Sequence, residues 1–191
     1  TKVVSELGNM SIVELLLQGK TTTPADLVKD LPGDNEAKAE TIDNNLQHEI
    51  VKKMSSNPVY YGKLSEMLKK IIMQRKVAAM SYQEYLKQVV EMAEAILHPE
   101  DNGDYPDEVK NSAARRALFD YFEEDLELTV DVDGAIRIAI RPAWKKNRQK
   151  LQKIRLAIYE KLLLHSYCKD KAEEETNQVF DIAERQEEYD A

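Results

Sequence analysis

Apolar residues recur at intervals of three and four along much of the chain, which is the spacing of helices that bury one face. The clearest stripes lie in residues 58–76 and 82–97, and a connection of only about five residues joins these segments. The pattern therefore predicts two helices that pack as an antiparallel hairpin. A third stripe, in residues 36–54, has strict i, i+4 spacing and consists of Ile42, Leu46, Ile50 and Met54.

Side chains that can accept hydrogen bonds from the N–H groups of a first helical turn mark several helix starts. Two S-x-x-E sequences are typical of capping boxes, and two cap residues precede a proline at the first helical position. These signals are Ser11 with Glu14, Ser81 with Glu84, Thr23 with Pro24, and Asn57 with Pro58. The predicted helices of the first half cover residues 11–18, 24–30, 36–54, 58–76 and 82–97.

The stretch 98–107, in which two prolines and a glycine lie among acidic residues, is predicted to be a linker. Residues 36–97 are then a helical hairpin core, and 108–191 a C-terminal helical region with segments near 107–124, 144–164 and 173–189. Residues 1–35 are interpreted as lead-in helices. Because the chain begins at Thr1 rather than Met, we expect it to be cut from a longer protein, with 1–35 following an earlier domain.

Residues 126–140 fit two structures. Alternating apolar residues around Asp133-Gly134 indicate a short β-hairpin. The same segment places Leu128, Val132 and Ala135 at helical spacing. Local chemistry leaves both interpretations open.

Composition favours a helical protein that carries no membrane span. The 191 residues are 42% apolar and 32% charged, and they include only six glycines and six prolines. This composition disfavours a β-sandwich or barrel, so we predict a predominantly all-α bundle of about seven to nine helices. The longest apolar runs are far shorter than the roughly 20 residues of a membrane span, so no membrane partner is expected. Cys168 is the single cysteine, which indicates a reducing, cytoplasmic location.

Positive charge is concentrated in one segment. Residues 137–161 contain nine Lys or Arg and one acid, a net charge of +8, which leaves −16 for the rest of a chain with net charge −8. Cations three and four residues apart can line a phosphate backbone. The alternative is that they neutralise the protein's own acidic helices, with the tryptophan in the core. The candidate nucleic-acid-binding residues are Trp144, Lys145, Lys146, Arg148, Lys150, Lys153 and Arg155.

Catalytic chemistry has little support. The three histidines lie far apart outside metal-binding motifs, and the Gly19-Lys20-Thr21 sequence lacks the earlier glycine of a phosphate-binding loop. No pair of carboxylates stands out as an acid/base couple. We therefore predict no catalytic residue, no metal site and no cofactor in this chain. Four tyrosines near the ends of the hairpin are candidate partner contacts, with half-buried positions at the core edge as the alternative: Tyr60, Tyr61, Tyr82 and Tyr85.

Several segments, in order and spacing, resemble the C-terminal helical domain of type I restriction enzyme R (motor) subunits. The resemblance covers about residues 36–189. Its segments are Glu36-Ala37-Lys38-Ala39-Glu40-Thr41-Ile42-Asp43-Asn44-Asn45, Asn57-Pro58-Val59-Tyr60-Tyr61-Gly62-Lys63-Leu64-Ser65-Glu66-Met67-Leu68, Ser81-Tyr82-Gln83-Glu84-Tyr85-Leu86, Asp133-Gly134-Ala135-Ile136, Trp144 with Asn147, Ile158-Tyr159 and Val179-Phe180-Asp181-Ile182-Ala183.

The resemblance implies a specific role. In such enzymes the R subunit carries a nuclease and two motor domains that translocate DNA with ATP and Mg²⁺, and the C-terminal helical region helps join the motor to the methyltransferase core. That core consists of modification and specificity subunits. This chain contains none of the nuclease or motor signatures, so the implied role is non-catalytic assembly, and DNA contact is left open. The family pattern also implies a helix at residues 133–137, and we predict a helix there.

The chain departs from the family pattern around two segments. Leu46-Gln47-His48 follows Asn45 where family members often have an arginine-containing stretch, and Arg141-Pro142-Ala143 precedes Trp144 where they often have acidic residues. Two other functions remain as alternatives. One is a free-standing helical protein that binds nucleic acid or acts as an adaptor, and the other is an enzyme with an unrecognised carboxylate site.

Overall fold

A computed structural model describes residues 31–190 of the chain, and over this range the protein is all-α. The range contains nine α-helices, two 3-10 turns and no strand, which confirms the predicted fold class. None of the helices in this range is both long enough and apolar enough to cross a membrane. The helices predicted at 11–18 and 24–30, with their capping signals, lie outside the described residues.

The helices are numbered here in chain order. They are α1 (Asn35–Lys53), α2 (Pro58–Lys76), α3 (Tyr82–Leu97), α4 (Pro99–Asn102), α5 (Asp107–Lys110), α6 (Ala113–Tyr121), α7 (Leu126–Ala139), α8 (Arg148–Leu164) and α9 (Lys169–Glu184). The 3-10 turns are Trp144–Lys146 and Glu187–Tyr189. The chain divides into two compact units, one formed by residues 31–54 and 61–103 and the other by 55–60 and 104–190.

Side chains close the first turns of the long helices, as the sequence predicts. Ser81 and Glu84 form a reciprocal capping box at the start of α3. The Asn57 carboxamide oxygen accepts a hydrogen bond of 3.1 Å from the N–H of Tyr60 at the start of α2. These bonds satisfy N–H groups that have no partner inside the helix. The bounds of α2 and α3 coincide with the predicted segments.

Helices α2 and α3 run antiparallel in the first unit. Tyr61, near the start of α2, donates a hydrogen bond to the carbonyl oxygen of Ile96, near the end of α3. At the other end of the pair, the guanidinium of Arg75 lies 5.3 Å from the ring centre of Tyr85. The predicted hairpin is therefore confirmed. The apolar stripes of the three long helices form the core, which includes Ile42, Leu46, Ile50, Leu64, Leu68, Leu86, Val89 and Ile96.

The second unit is built on α7, α8 and α9, with α6 packed against α7 and α9. Its buried cluster contains Leu118, Leu128, Val132, Ile136, Ile154, Ile158, Leu162, Val179 and Phe180. The one tryptophan of the chain, Trp144, also lies in this cluster. The segment predicted as one helix at 107–124 is instead two helices, α5 and α6, because Ser112 caps the second at the N–H of Arg115.

Residues 126–139 form helix α7, so the β-hairpin alternative is wrong and the helix is correct. Asp125 caps the helix by accepting a hydrogen bond from the N–H of Leu128. Residues at i, i+4 spacing along the helix, Leu128, Val132 and Ile136, are buried in the second unit. Helical burial of these residues leaves Ile138, one member of the alternating pattern, 75% exposed. Segment 98–107, predicted as a linker, contains the short helix α4.

Candidate functional site

A buried carboxylate organises the second unit. The Asp133 side chain on α7 has no exposed surface and is bound by three side chains from different parts of the unit. Arg115 Nε donates to Oδ2 at 2.7 Å, Arg137 Nε donates to Oδ1 at 2.9 Å, and the Tyr189 hydroxyl donates to Oδ1 at 2.7 Å. Such charge-assisted bonds compensate a carboxylate for the water that it loses on burial.

The network continues to the start of α6 through Glu188. Its carboxylate accepts a hydrogen bond of 2.6 Å from Ser112 Oγ and one of 3.0 Å from Arg137 Nη2. It also accepts from the backbone N–H of Ala113, in the first turn of α6, where the helix dipole favours a negative charge. Glu188 therefore fastens the C-terminal 3-10 turn to the beginning of α6.

Both carboxyl groups of this network have shifted pKa values. Burial alone raises the pKa of Asp133, but hydrogen bonds from Arg137, Arg115 and Tyr189 outweigh it and the pKa is lowered. Burial likewise opposes the shift at Glu188, whose pKa is lowered by hydrogen bonds from Ser112, Arg137 and the start of α6. Both groups are therefore held in the ionised state at neutral pH.

The first unit contains a smaller network that also joins an aspartate, an arginine and a tyrosine. Asp43 accepts a hydrogen bond of 2.7 Å from Arg75 Nη2 and one of 2.8 Å from the hydroxyl of Tyr85. The Arg75 guanidinium lies 5.3 Å from the ring centre of Tyr85, and Arg137 lies 5.2 Å from that of Tyr189 in the second unit. In each unit a buried aspartate is thus paired with an arginine that also lies over the ring of the tyrosine. These arrangements stabilise the fold rather than leave a carboxylate available to a substrate.

Sequence reasoning missed both networks, although a signal was present. Asp43 lies within the buried stripe of α1, next to Ile42, and Asp133 lies next to Val132 in the buried stripe of α7. A carboxylate at a core-facing helical position must find partners, because an unpaired buried charge is very costly. The identity of those partners depends on tertiary contacts that the pattern does not reveal.

Trp144 is a core residue and not a nucleic-acid contact. Its side chain is 1% exposed, and its ring packs edge to face with that of Phe180, with the ring centres 6.1 Å apart. Its indole N–H donates a hydrogen bond of 2.7 Å to the carbonyl oxygen of Tyr189. A ring in this position cannot stack on a base, so its inclusion among the nucleic-acid-binding residues is corrected. The indole is buried because its nitrogen finds an acceptor inside the core.

The predicted basic residues lie on α8 and in the 3-10 turn before it, and some of them already have partners in the second unit. Lys145 forms an ion pair with Asp190, and Lys150 Nζ donates a hydrogen bond of 2.6 Å to the carbonyl oxygen of Pro142. These cations are already used within the second unit. The guanidinium of Arg155 is also engaged, because it lies 3.9 Å from the ring centre of Phe180 and donates to Asn177.

Three of the predicted cations are directed to solvent. Lys146, Arg148 and Lys153 are exposed. The side chains of these three residues form no hydrogen bond or ion pair with any other residue in the range 31–190. Nucleic-acid contact by the basic segment therefore stays a prediction. Part of the segment pairs with groups of the same chain, and part of it presents charge on the surface.

The four predicted interface tyrosines separate into two groups. Tyr61 and Tyr85 are core residues with 5% and 0% exposure, so they are not surface contacts. Each satisfies its hydroxyl inside the first unit, Tyr85 at Asp43 and Tyr61 at a backbone carbonyl. Tyr60 and Tyr82 are half-buried, and the ring of Tyr82 stacks on Tyr85 at 6.0 Å. Only the half-buried pair can contribute directly to an interface.

Two other groups of polar side chains lie together at the surface of the described residues. Ligand atoms of His98, Glu100 and Asp101 lie within 4.8 Å of one another at the surface beside α4, but no further feature points to a cation. A shallow, open groove between α8 and α9 is lined by Arg155, Leu156, Tyr159, Glu173, Thr176 and Asn177. Its single carboxylate does not form an acid/base pair. We therefore assign neither group as a ligand site.

Comparison of the chain with protein-family models, with curated proteins and with solved structures found no match. Functional inference therefore depends on the residues and their geometry.

Proposed function

We propose that this chain is the C-terminal helical domain of a type I restriction enzyme R subunit. Its role is to dock the ATP-dependent DNA motor on the methyltransferase core of modification and specificity subunits. ATP and Mg²⁺ serve the motor and nuclease domains of the parent enzyme. The proposed location is the cytoplasm, where such an enzyme meets its DNA.

The observation that carries the proposal is that several residues of the resemblance are buried and build the fold. Asp133 is the centre of the buried network, and Trp144 packs on Phe180 in the core of the second unit. In the first unit, Asp43 and Tyr85 form the corresponding buried pair. Positions that determine packing are the ones that a common fold retains, so their order and spacing support a common fold with the R-subunit domain.

The environment of the buried carboxylates supports a non-catalytic role. A general base or nucleophile must reach a substrate, in a cleft that excludes water around the reacting atoms. Asp43 and Asp133 are instead enclosed by arginine and tyrosine side chains that take up their hydrogen-bonding capacity. Within residues 31–190, the groove between α8 and α9 is open and brings one carboxylate to its wall. The proposed role of the domain is therefore to bind partners through its surface.

The direct test is association of the 191-residue chain with the purified methyltransferase core of the same restriction system. We expect saturable binding to the core and no binding to the modification subunit of an unrelated system. A well-folded chain that fails to bind the core would contradict the proposal. The amino-acid sequence that precedes residue 1 in the full-length protein is an independent check, since motor and nuclease motifs are expected there and their absence would also contradict it.

Substitution of the half-buried tyrosines locates the interface. Tyr60→Ala and Tyr82→Ala each should weaken binding to the core by about tenfold or more if these rings are anchors of the interface. Tyr159→Ala, at another half-buried tyrosine, is the matched control and should leave the affinity unchanged. Equal affinities for all variants would show that the interface lies elsewhere on the surface. Docking itself is tested by the binding of the unmodified chain to the core.

A further inference from the structure

The outward face of the first two turns of α8 carries only polar and cationic side chains. Arg148, Gln149, Gln152 and Lys153 are all exposed, whereas Ile154, Ile158 and Leu162 of the same helix are buried. Lys146 is exposed immediately before the helix begins. We call Lys146, Arg148, Gln149, Gln152 and Lys153 the cationic face. Residues 134–159 contain no Asp or Glu, so no acid from this stretch neutralises the cationic face.

Charge at the start of α8 is placed where the helix itself disfavours it. The N-terminus of a helix carries a partial positive charge, and cations in the first turn are destabilising unless an anion lies nearby. Arg148 occupies the first position of α8, and this first turn contains no acid. Asn147 caps two N–H groups through its side chain but adds no charge. An external anion at this position would therefore relieve repulsion and gain hydrogen bonds.

The turn that presents the cationic face is fixed from inside. Trp144 is buried and hydrogen-bonded to the carbonyl oxygen of Tyr189. Lys150 reaches back across the turn to the carbonyl oxygen of Pro142 at 2.6 Å. A fixed turn reduces the conformational entropy that binding would otherwise cost.

Donor chemistry on the cationic face matches a phosphate backbone. Lysine, arginine and glutamine all donate hydrogen bonds to phosphate oxygens, and such contacts do not depend on base sequence. The centre of a protein–protein interface is usually apolar or aromatic. Trp144 is buried and takes no part in this face, and an exposed apolar side chain, Leu156, lies one helical turn beyond it. We propose that the cationic face binds the phosphate backbone of duplex DNA without reading its sequence.

The negative net charge of the chain does not prevent this contact. Charges separated by more than the Debye length, about 8 Å at physiological ionic strength, are largely screened in solvent. Lys145, in the 3-10 turn before α8, forms an ion pair with Asp190 and so already neutralises this acid. The contact is therefore local, involves few phosphates and is strongly salt-dependent. It goes beyond the proposed docking role and holds whether or not the chain binds a methyltransferase core.

The test measures binding of the full chain to a fluorescein-labelled random-sequence DNA duplex by anisotropy over a salt series. Three phosphate contacts predict a slope of log K against log salt of roughly −2.7. The variant Lys146→Gln/Arg148→Gln/Lys153→Gln should bind too weakly to detect at the lowest salt, or should lose most of this slope. Since the three residues are exposed and Arg148 lies where the helix disfavours a cation, the variant should unfold at a temperature no lower than that of the unmodified chain.

A control variant with the same change in net charge separates local contact from overall charge. Lys63, Lys70 and Lys76 are exposed residues of α2, and their replacement by glutamine should leave the slope unchanged. The proposal is overturned by an unmodified chain that does not bind the duplex at low salt, or by equal losses in the two triple variants. Tighter binding of polyglutamate than of DNA, with dependence on the same three residues, would assign the face to an acidic protein instead and would also overturn it.

Discussion

The hydroxyl of Tyr189 donates a hydrogen bond of 2.7 Å to Oδ1 of Asp133, which precedes it by 56 residues in the chain. Both side chains are buried, with 1% and 0% exposure. The bond connects the last 3-10 turn to the middle of α7, and Arg137 covers it by binding Asp133 and lying over the ring of Tyr189. Residues at the C-terminal end are therefore part of the core of the second unit.

Removing this hydroxyl should destabilise the fold. Tyr189→Phe keeps the ring but takes one donor from a buried carboxylate, and we expect the free energy of unfolding to fall by about 1.5–3 kcal/mol. Urea denaturation followed by circular dichroism measures the change. Tyr159→Phe, at a half-buried tyrosine, is the control and should change stability by less than about 0.5 kcal/mol. Similar losses in both variants would refute the importance of the Asp133 bond.

Acid should weaken the fold through the same network. The pKa values of Asp133 and Glu188 are lowered from ordinary values of 3.8 and 4.5. Their contribution to stability is complete above those ordinary values, which apply to the unfolded chain, and is lost as the pH falls through the lower folded pKa values. We expect the urea concentration at the midpoint of unfolding to be lower at about pH 3 than at neutral pH.

The variant Asp133→Asn identifies the share of the acid response that belongs to this carboxylate. It should be less stable than the unmodified chain at neutral pH, because an amide cannot replace the ionised partner of two arginines. Its stability should depend less steeply on pH below the ordinary aspartate pKa, since one titrating group is gone. Parallel curves for the two proteins would show that Asp133 does not titrate as proposed.

Replacement of Gly134 distinguishes the helix from the rejected β-hairpin. Gly134 lies inside α7, and a β-carbon built there would meet no atom within 4 Å apart from the neighbouring backbone of its own helix. Gly134→Ala should therefore raise the free energy of unfolding by up to about 1 kcal/mol, because alanine has the higher helix propensity. In a tight hairpin turn the same change would destabilise, since such a turn favours glycine. A lower thermal midpoint for the variant would thus contradict the helix.

Fluorescence of Trp144 reports on its position. It is the one tryptophan of the chain and is buried, so we expect blue-shifted emission and weak quenching by iodide. Addition of duplex DNA under conditions of binding should leave the emission nearly unchanged, because the indole does not face the cationic surface. Strong quenching by DNA in the folded protein would place the ring at the interface and would restore it as a nucleic-acid contact.

Local sequence signals were sufficient for the first unit. The stripes of α1 to α3 and the caps at Asn57 and Ser81 identify the helices, and the short connection between α2 and α3 determines their antiparallel packing. Each of these features depends on residues a few positions apart. The helical period and the chemistry of the first turn are local properties, so the sequence alone expresses them.

Residues 126–140 required more than local information. Their letters fit both a hairpin around Gly134 and a helix, since apolar residues occur at both spacings. The structure buries Leu128, Val132 and Ile136 in one core with residues from α8 and α9. Burial against distant partners favours the helical spacing, so tertiary packing made the choice, in agreement with the helix that the family resemblance implied.

By itself, the sequence determined that the protein is helical, where α2 and α3 begin, and that its positive charge is concentrated between residues 137 and 161. Only the tertiary structure decided what the individual polar and aromatic groups do. It placed Trp144 in the core, joined Asp133 to Tyr189 across 56 residues, and left Arg148 exposed. The physical reason is that burial and pairing are properties of contacts between distant residues, and charge or aromaticity alone does not specify which side of a helix meets a partner.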